Sequence, residues 1–492
     1  MSNLLTLLAI VIAVALFTRA SGNPLGHGAP FMRRRILNWV PMGIGYAFLY
    51  FGRYNLTVAK NALGDLMTKA EFGTIFAAGT ITYAFAFILN GPLTDRIGGR
   101  RAMIISTIGA AASNIVLGVL VYMLAAGQNE GWFLSGPGRT LLVGSGSTML
   151  LVLFCVLYAI NMYFQSFGAV SIVKVNSGWF HVRERGVFGG IFGILISAGI
   201  FFAFDFGKWI VDGLHTTGSA AAVVVSPPFW VFWIPALLLL VAALWIYLVV
   251  RDRPAEAGFT NFDTGDASSG ESDEPDPVRV ILKKVVTNPI VLTIGAIEFC
   301  TGVLRQGIMH WYSIYGREMG YPKDFIISEH WGTMLFIAGA TGGMTAGWIS
   351  DKVFGSRRGP VAAILYGLMF FCVLVMAFSV QKPGSGELDV TRMWVLAACV
   401  TLISYCVIGT HGMLSGTATM DFGGRKNAGT AVGLIDGLVY LGTGLQSISL
   451  GFLTEKSWSY WPPFLIPFAL IGFLLAVRIW KALPEGARRA AH

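Results

Sequence analysis

The sequence predicts an all-α polytopic membrane protein built as two six-helix bundles, and three observations carry that prediction. Of 492 residues, 55% are hydrophobic and only 12% are charged, about half the roughly 25% charged share of a soluble domain; the mean hydropathy is +0.66. The apolar runs fill nearly the whole chain and fall into two sets of six, so the length does not indicate several soluble domains. An arginine and a short loop motif recur at matching positions of the two sets.

The elements follow in order. A spanning helix needs about 20 largely apolar residues. The chain opens with a short apolar run, residues 4–17, with no basic residue before it and with Arg19 and the Arg33 cluster after it. A cleaved signal begins with a basic region, so residues 1–35 read as an additional N-terminal membrane helix and a basic connector, with a cleaved segment as the alternative. Spans are expected near 36–66, 72–93, 102–126, 148–174, 186–211 and 227–250, an N-terminal bundle over 36–250. Residues 251–287 contain DTGDASSGESDEPDP, acidic, small and proline-bearing, and read as a flexible cytoplasmic linker. Spans near 288–316, 329–350, 359–380, 391–416, 428–453 and 461–481 make a C-terminal bundle over 288–481, followed by a tail, 482–492.

Alternate loops carry the cations. Arg33, Arg34 and Arg35 precede the first span; Arg96, Arg100 and Arg101 follow the second, and Arg183 and Arg185 the fourth. Lys283 and Lys284 lead into the seventh; Lys352, Arg357 and Arg358 follow the eighth, Arg425 and Lys426 the tenth, and Arg488 and Arg489 end the chain. The positive-inside rule makes these ends, the C-terminus included, cytoplasmic in a cell (inner, plasma) membrane. The net charge of +9 is spent on short loops between spans, which argues against a nucleic-acid partner. Cys155, Cys300, Cys372, Cys399 and Cys406 lie in apolar runs without metal-ligand or C-x-x-C spacing and read as small buried hydrophobes. No motif supplies a nucleophile with its base, a metal set or a nucleotide loop, so no enzyme, cofactor or metal is expected.

Two charges break the apolar pattern: Arg53 in FLYFGRYNLTVA and Arg305 in FCTGVLRQGIMHW, 252 residues apart. A charge at a helix centre costs at least ~2.5–3.5 kcal/mol on insertion scales, so it marks a site by default. With the first span beginning at Ile36, Arg53 is 17 residues in, ~25 Å along a helix that rises 1.5 Å per residue. Two cations at equivalent places suggest a clamp for an anion, because guanidinium keeps its charge and offers planar paired donors. The bland reading of each is an arginine snorkelling to the interface or paired with a buried acid.

The loop after the second span reads Gly91-Pro-Leu-Thr-Asp95-Arg96-Ile-Gly98-Gly99-Arg100-Arg101; that after the eighth reads Gly347-Trp-Ile-Ser-Asp351-Lys352-Val-Phe-Gly355-Ser-Arg357-Arg358. Gly91 and Gly347 would let helices approach closely, and Asp95 and Asp351 could pair across a helix interface or cap a helix start. With Arg96, Arg100, Lys352 and Arg357 they are candidates for conformational gating.

This pair resembles the short-loop motif of the major facilitator superfamily, whose six-plus-six layout covers 36–481. Within it, GRYNLTVA, NGPLTDRIGGRR, SGWFHVRERG, GVLRQGIMHWYSIY, GWISDKVFGSRRG and RKNAGTAVGLIDGLVYLG are similar to the organophosphate:phosphate antiporters, the group of bacterial glycerol-3-phosphate and hexose-phosphate exchangers. The resemblance implies a site near the midplane between the halves, with Arg53 and Arg305 on the phosphate. It matches Lys174 to a basic position that either guides phosphate or marks the membrane boundary. Tyr54, Asn55, Tyr83, Asn161, Gln165 and Trp311 are candidates for the organic part of the substrate, each also plausible as helix-packing glue. The chain departs from the glycerol-3-phosphate exchangers at Tyr54, Phe87 and Gly178, where they carry basic residues.

Three acids fall inside spans: Glu298, seven residues before Arg305 and on its face, Asp436 in the eleventh and Asp205 in the fifth. Balancing the clamp, binding hydroxyls and taking up protons are the roles open to them, beside structural pairing, for which Lys208 is the obvious partner of Asp205. His310 and His411 are candidates to titrate with substrate, His411 also to contact it, and packing is the simpler role for either. The expected activity is exchange of a sugar phosphate or glycerol 3-phosphate for inorganic phosphate by a monomer in the lipid bilayer. A proton-coupled carboxylate or hexuronate transporter of the same fold and a non-transporting hexose-phosphate sensor are the alternatives.

Overall fold

The structure, a computed structural model, describes residues 2–20, 23, 25–126, 147–181, 185–213, 228–264, 279–280, 283, 287, 289–322, 324–355, 357–384, 387–423 and 428–481. Arg183, Lys284, Arg425, Lys426, Arg488, Arg489, most of the acidic linker and the tail lie outside these, as do the side chains of Arg185 and Asp351.

Helix dominates because in lipid every backbone N–H and C=O has to be satisfied within its own segment. The first six spans are Ala29–Leu63, Lys69–Ile97, Gly99–Ala126, Ser147–Ser177, Arg185–Phe201 continued through a π-helical turn (Phe202–Phe206) into Gly207–Gly213, and Trp230–Val249. The second six are Pro289–Met309 continued past a break at His310 into Trp311–Glu318, Trp331–Lys352, Arg358–Ser379, Val390–Gly423, Ala428–Lys456 and Trp461–Arg478. Local sequence starts them where sequence rules say. Pro30 occupies the first turn of the first span, where a missing N–H costs nothing. Thr68 and Glu71 form a reciprocal capping box at the start of the second. Among the described residues nine helices are long and apolar enough to cross a membrane by length and composition. The first, eighth and eleventh spans are not among the nine, being richer in glycine and polar residues, and all three face the seam between the halves.

That seam is made by the second span against the eleventh, the most extensive helix pair among the described residues, and by the fifth against the eighth. On the side opposite the basic loops it is fastened twice in the same way. Glu455 of the eleventh span accepts from the backbone N–H of Lys69 (3.0 Å) and Ala70 (3.4 Å), the first turn of the second span. Asp205 of the fifth accepts from the N–H of Gly332 (2.6 Å) and Thr333 (2.8 Å) and the Thr333 hydroxyl (2.7 Å), the first turn of the eighth. Each half thus supplies a carboxylate that caps a helix start of the other half, where unpaired N–H groups and the helix dipole favour a negative charge.

The expected Asp205–Lys208 pair does not form. Lys208, which is 41% exposed, pairs with Glu329, while the π-helical turn takes the buried Asp205 out of register with it and onto three donors. Asp205→Ala is therefore expected to cost about 1–2 kcal/mol, the range of a lost helix cap, read as a lower unfolding midpoint. Lys208→Ala removes only an exposed pair and is expected to change the midpoint little.

The N-terminal apolar run forms the helix Ser2–Ala20, longer than the predicted 4–17. It lies along the fifth–eighth seam: Thr6 shares a hydrogen bond with Thr333 (3.3 Å), and Ile10 packs with Ile194, Ala198 and Phe201 of the fifth span and Phe336 of the eighth. All five cysteines are free, four buried and Cys155 half-buried.

Candidate functional site

The first and seventh spans meet at the centre of the molecule. Gln306 Nε2 donates to the Tyr54 hydroxyl (2.8 Å), and Asn61 Nδ2 to Ser313 Oγ (2.8 Å). Both pairs are 252 residues apart in sequence, the separation of Arg53 and Arg305. Residues that repeat between the halves therefore touch one another across a pseudo-two-fold axis. Arg53 and Arg305, one position before Tyr54 and Gln306, flank that axis.

Arg53 is fully buried and held by neutral acceptors alone. Its Nε donates to Gln165 Oε1 (2.9 Å), Nη2 to the Tyr83 hydroxyl (2.8 Å) and Nη1 to the Tyr440 hydroxyl (2.5 Å) on the eleventh span. The rings of Tyr83 and Tyr50 lie 4.5 and 4.6 Å from its guanidinium carbon, a cation–π arrangement that softens the cost of burial. Gln165 is fixed in turn: its Nε2 donates to Asn161 Oδ1 (3.1 Å), and Asn161 Nδ2 donates to the carbonyl of Gly52 (3.1 Å) beside Arg53. Asn114 donates to Asn161 Oδ1 (3.2 Å) and accepts from Asn55 (2.7 Å). Asn161 and Asn55 thus act through this network on the first span and Gln165; of the polar candidates named from the sequence, Gln165 and Tyr83 are the ones that hydrogen-bond the Arg53 guanidinium. Gln165→Leu, close in shape, leaves Arg53 Nε unpaired; a several-fold weaker apparent affinity for inorganic phosphate with a folded, monodisperse protein is the expected result of a binding titration.

Arg305 differs. It is 7% exposed, yet its Nε and Nη2 have no hydrogen-bond partner. Among the described residues neither arginine lies within ion-pair distance of a carboxylate, so neither forms a direct pair with a buried acid, although Glu298 acts on Arg305 at longer range. Tyr50, Tyr54 and Tyr440 stand within electrostatic reach of both guanidinium groups. Two cations, one fully caged and one with donors to spare, share one tyrosine-lined space.

Beside Arg305, toward the basic loops, His411 Nδ1 and Glu298 Oε2 are 2.7 Å apart. Glu298 is fully buried and its Oε1 has no partner. Asp436 Oδ1 accepts from the Ser415 hydroxyl (2.7 Å), within electrostatic reach of Glu298, His411 and Arg305.

Other candidates are not brought together with the arginines. His310 breaks the seventh span, bonds Thr57 Oγ1 (2.7 Å) and packs edge-on or tilted among Tyr54, Phe72, Phe76 and Phe204. Trp311 packs against Phe72 and Trp458. Both sit in the aromatic plug that closes the side opposite the basic loops, so Trp311 is not beside the clamp; the turn at His310 carries it away from Arg305. Lys174 Nζ lies 3.1 Å from Asp95 Oδ1, tying the fourth span to the gating motif rather than to the arginines. Arg100 donates its backbone N–H to Asp252 (2.8 Å) and its guanidinium to the Tyr247 carbonyl; burial pushes the Asp252 carboxyl up despite that bond. Gly91 is buried, while Arg96, Lys352 and Arg357 are exposed and a side chain at Gly347 would meet nothing within 4 Å. No group of three or more His, Cys, Asp or Glu able to hold a metal is present among the described residues.

Sequence reasoning missed Tyr440, Tyr50, Gln306 and Asn114. For Gln306 a signal existed, since it is the 252-residue counterpart of Tyr54. Tyr440 had only its position one turn beyond Asp436. Asn114 had none, because an asparagine in an apolar run does not announce which neighbour it bonds.

Residues 42–447 match the sequence model of the Major Facilitator Superfamily. The chain is 26% identical over 476 residues to the glycerol-3-phosphate transporter of Bacillus subtilis (strain 168), covering 94% of this chain and 95% of that one. It is 24% identical to the membrane sensor protein UhpC of Salmonella typhimurium, with 94% of each chain covered, and 23% identical to a probable hexose phosphate transport protein of Chlamydia pneumoniae, with 93% of each covered. Among solved structures it is similar to the xylose transporter XylE from E. coli in a partially occluded inward-open conformation, at a TM-score of 0.63 and 14% identity over 91% of this chain and 99% of that one. At that identity the likeness is one of fold.

Proposed function

The chain belongs to the Major Facilitator Superfamily, and from that premise we propose that it is a secondary transporter exchanging an organophosphate, a sugar phosphate or glycerol 3-phosphate, for inorganic phosphate by alternating access. The matched relatives are transporters and membrane sensors rather than enzymes, and the chain is an integral multi-pass membrane protein. The observation that carries the reading is the two-fold pair Arg53 and Arg305, buried, without a carboxylate partner, and with free donors on Arg305. A phosphate monoester presents oxygens on several sides and can accept from both forks at once. At Arg53 it competes with the Tyr440 hydroxyl, an inter-half bond, so binding reads out directly on the seam. Buried cations without an anion are unfavourable, which slows return of the unloaded protein and favours obligatory exchange. The basic loops face the cytoplasm and the protein sits in the plasma membrane.

The test is efflux of labelled phosphate from proteoliposomes against external phosphate or phosphate esters. Exchange that needs an external phosphate compound is expected; uptake of a hexuronate insensitive to phosphate sinks the reading. The likeness to UhpC favours one alternative, a sensor, which binds the same ligands and gives no flux in this assay.

A further inference from the structure

We propose that Glu298, His411 and Asp436 form a second subsite, for hydroxyl groups, which selects phosphate esters of about six-carbon length carrying hydroxyls over glycerol 3-phosphate or phosphate alone. The inference rests on the exchange reading above and names its substrate. Four observations carry it.

The acids are an anomaly for a bare phosphate site. Glu298 and Asp436 lie within electrostatic reach of Arg305, and carboxylates so placed repel the anion that the arginines attract. Charge balance alone does not account for them, since neither makes an ion pair with Arg305. Instead Glu298 Oε2 is engaged by His411 and its Oε1, fully buried, has no partner. An acceptor buried without a donor costs about 1–3 kcal/mol until a donor arrives, and a hydroxyl supplies one.

The cluster is also one-sided. The 252-residue counterpart of Glu298 is Tyr46, which packs edge-on to Tyr50. The arginines are two-fold symmetric, as suits phosphate; Glu298 has no acidic counterpart in the other half, as suits a ligand with a phosphate at one end and something else at the other.

The spacing sets the length. Glu298 precedes Arg305 by seven residues and Asp436 precedes Tyr440 by four, so the acids sit one to two turns, roughly 6–10 Å, from the arginine level toward the basic loops. A three-carbon ester with its phosphate on the arginines falls short of Glu298; a six-carbon chain reaches it. His411 and Asp436 are partly exposed, so the cluster is not sealed off.

The experiment is inhibition of labelled-phosphate exchange in proteoliposomes by glycerol 3-phosphate, a hexose 6-phosphate and hexyl phosphate, which has the length without the hydroxyls. In the wild type the hexose ester should inhibit at concentrations at least about tenfold below the other two, a factor that hydrogen bonds to a charged acceptor readily supply. Glu298→Gln and Asp436→Asn should weaken the hexose ester about tenfold more than they weaken inorganic phosphate. Equal inhibition by hexyl and hexose phosphates, or an equal shift for ester and phosphate in both variants, overturns the subsite and leaves charge balance as the acids' role. The wild-type comparison decides even if a variant fails to fold. Absence of any phosphate exchange in the wild type is a different failure: it overturns the exchange reading and this inference with it.

Discussion

Arg53→Ala and Arg305→Ala are each expected to abolish phosphate-dependent exchange, with a loss on the order of a hundredfold or more, as when one member of a buried charge-assisted pair is removed. The lysine variants should recover little, because an ammonium restores the charge and not the planar fork that grips two oxygens at once. The two sites separate in stability. Removing Arg53 strips Gln165 Oε1 and the hydroxyls of Tyr83 and Tyr440 of their donor, at about 1–3 kcal/mol per stranded group. Removing Arg305 strands no hydrogen-bond partner of its Nε or Nη2 and relieves a buried charge. A thermal-shift measurement should therefore show Arg53→Ala clearly destabilised and Arg305→Ala near the wild type, both inactive in exchange. Full exchange by either variant refutes the clamp.

Gly73→Leu should block transport for a different reason. On the side opposite the basic loops the second span meets the eleventh at Gly73 and Gly451. A Cβ on Gly73 would lie 2.4 Å from the Ser447 carbonyl and 2.9 Å from the Gly451 Cα. Backbone cannot retreat from such contact as a flexible side chain can, so the seam opens on this side. Each half keeps its own core, since that clash lies between halves. The variant is expected to remain folded and to bind ligand, to lose at least about 90% of exchange because closure is a step of every cycle, and to expose a cysteine placed at Ser447 to membrane-impermeant reagents. Near-normal exchange would show that the close approach is dispensable.

The fold was legible because its cause is compositional. Twelve stretches of about twenty apolar residues have one stable form in lipid, and most helices fall within a few residues of the predicted spans, while the first begins earlier than predicted, at Ala29, and the tenth ends later, at Gly423. The disagreements are local: the N-terminal helix is longer than its apolar core, and the seventh span breaks at His310, within a turn of Gly307. The site was legible in part. Arg53 and Arg305 stood out because charge in an apolar helix is costly, and Tyr83 and Gln165 proved to touch Arg53. Trp311, Lys174 and Asp205 did not reach the clamp, because a kink, a motif carboxylate and a foreign helix start claimed them.

The sequence by itself determined the membrane class, the two-fold repeat and the position of the two cations, since each follows from the energy of placing one residue type in lipid. Only the tertiary structure decided that Arg53 is caged by Tyr83, Tyr440 and Gln165 while Arg305 keeps free donors, and that Asp205 and Glu455 cap helices of the opposite half. Those are statements about partners up to several hundred residues away. A polar side chain in an apolar run shows that it needs a partner; which partner it finds depends on how the helices pack.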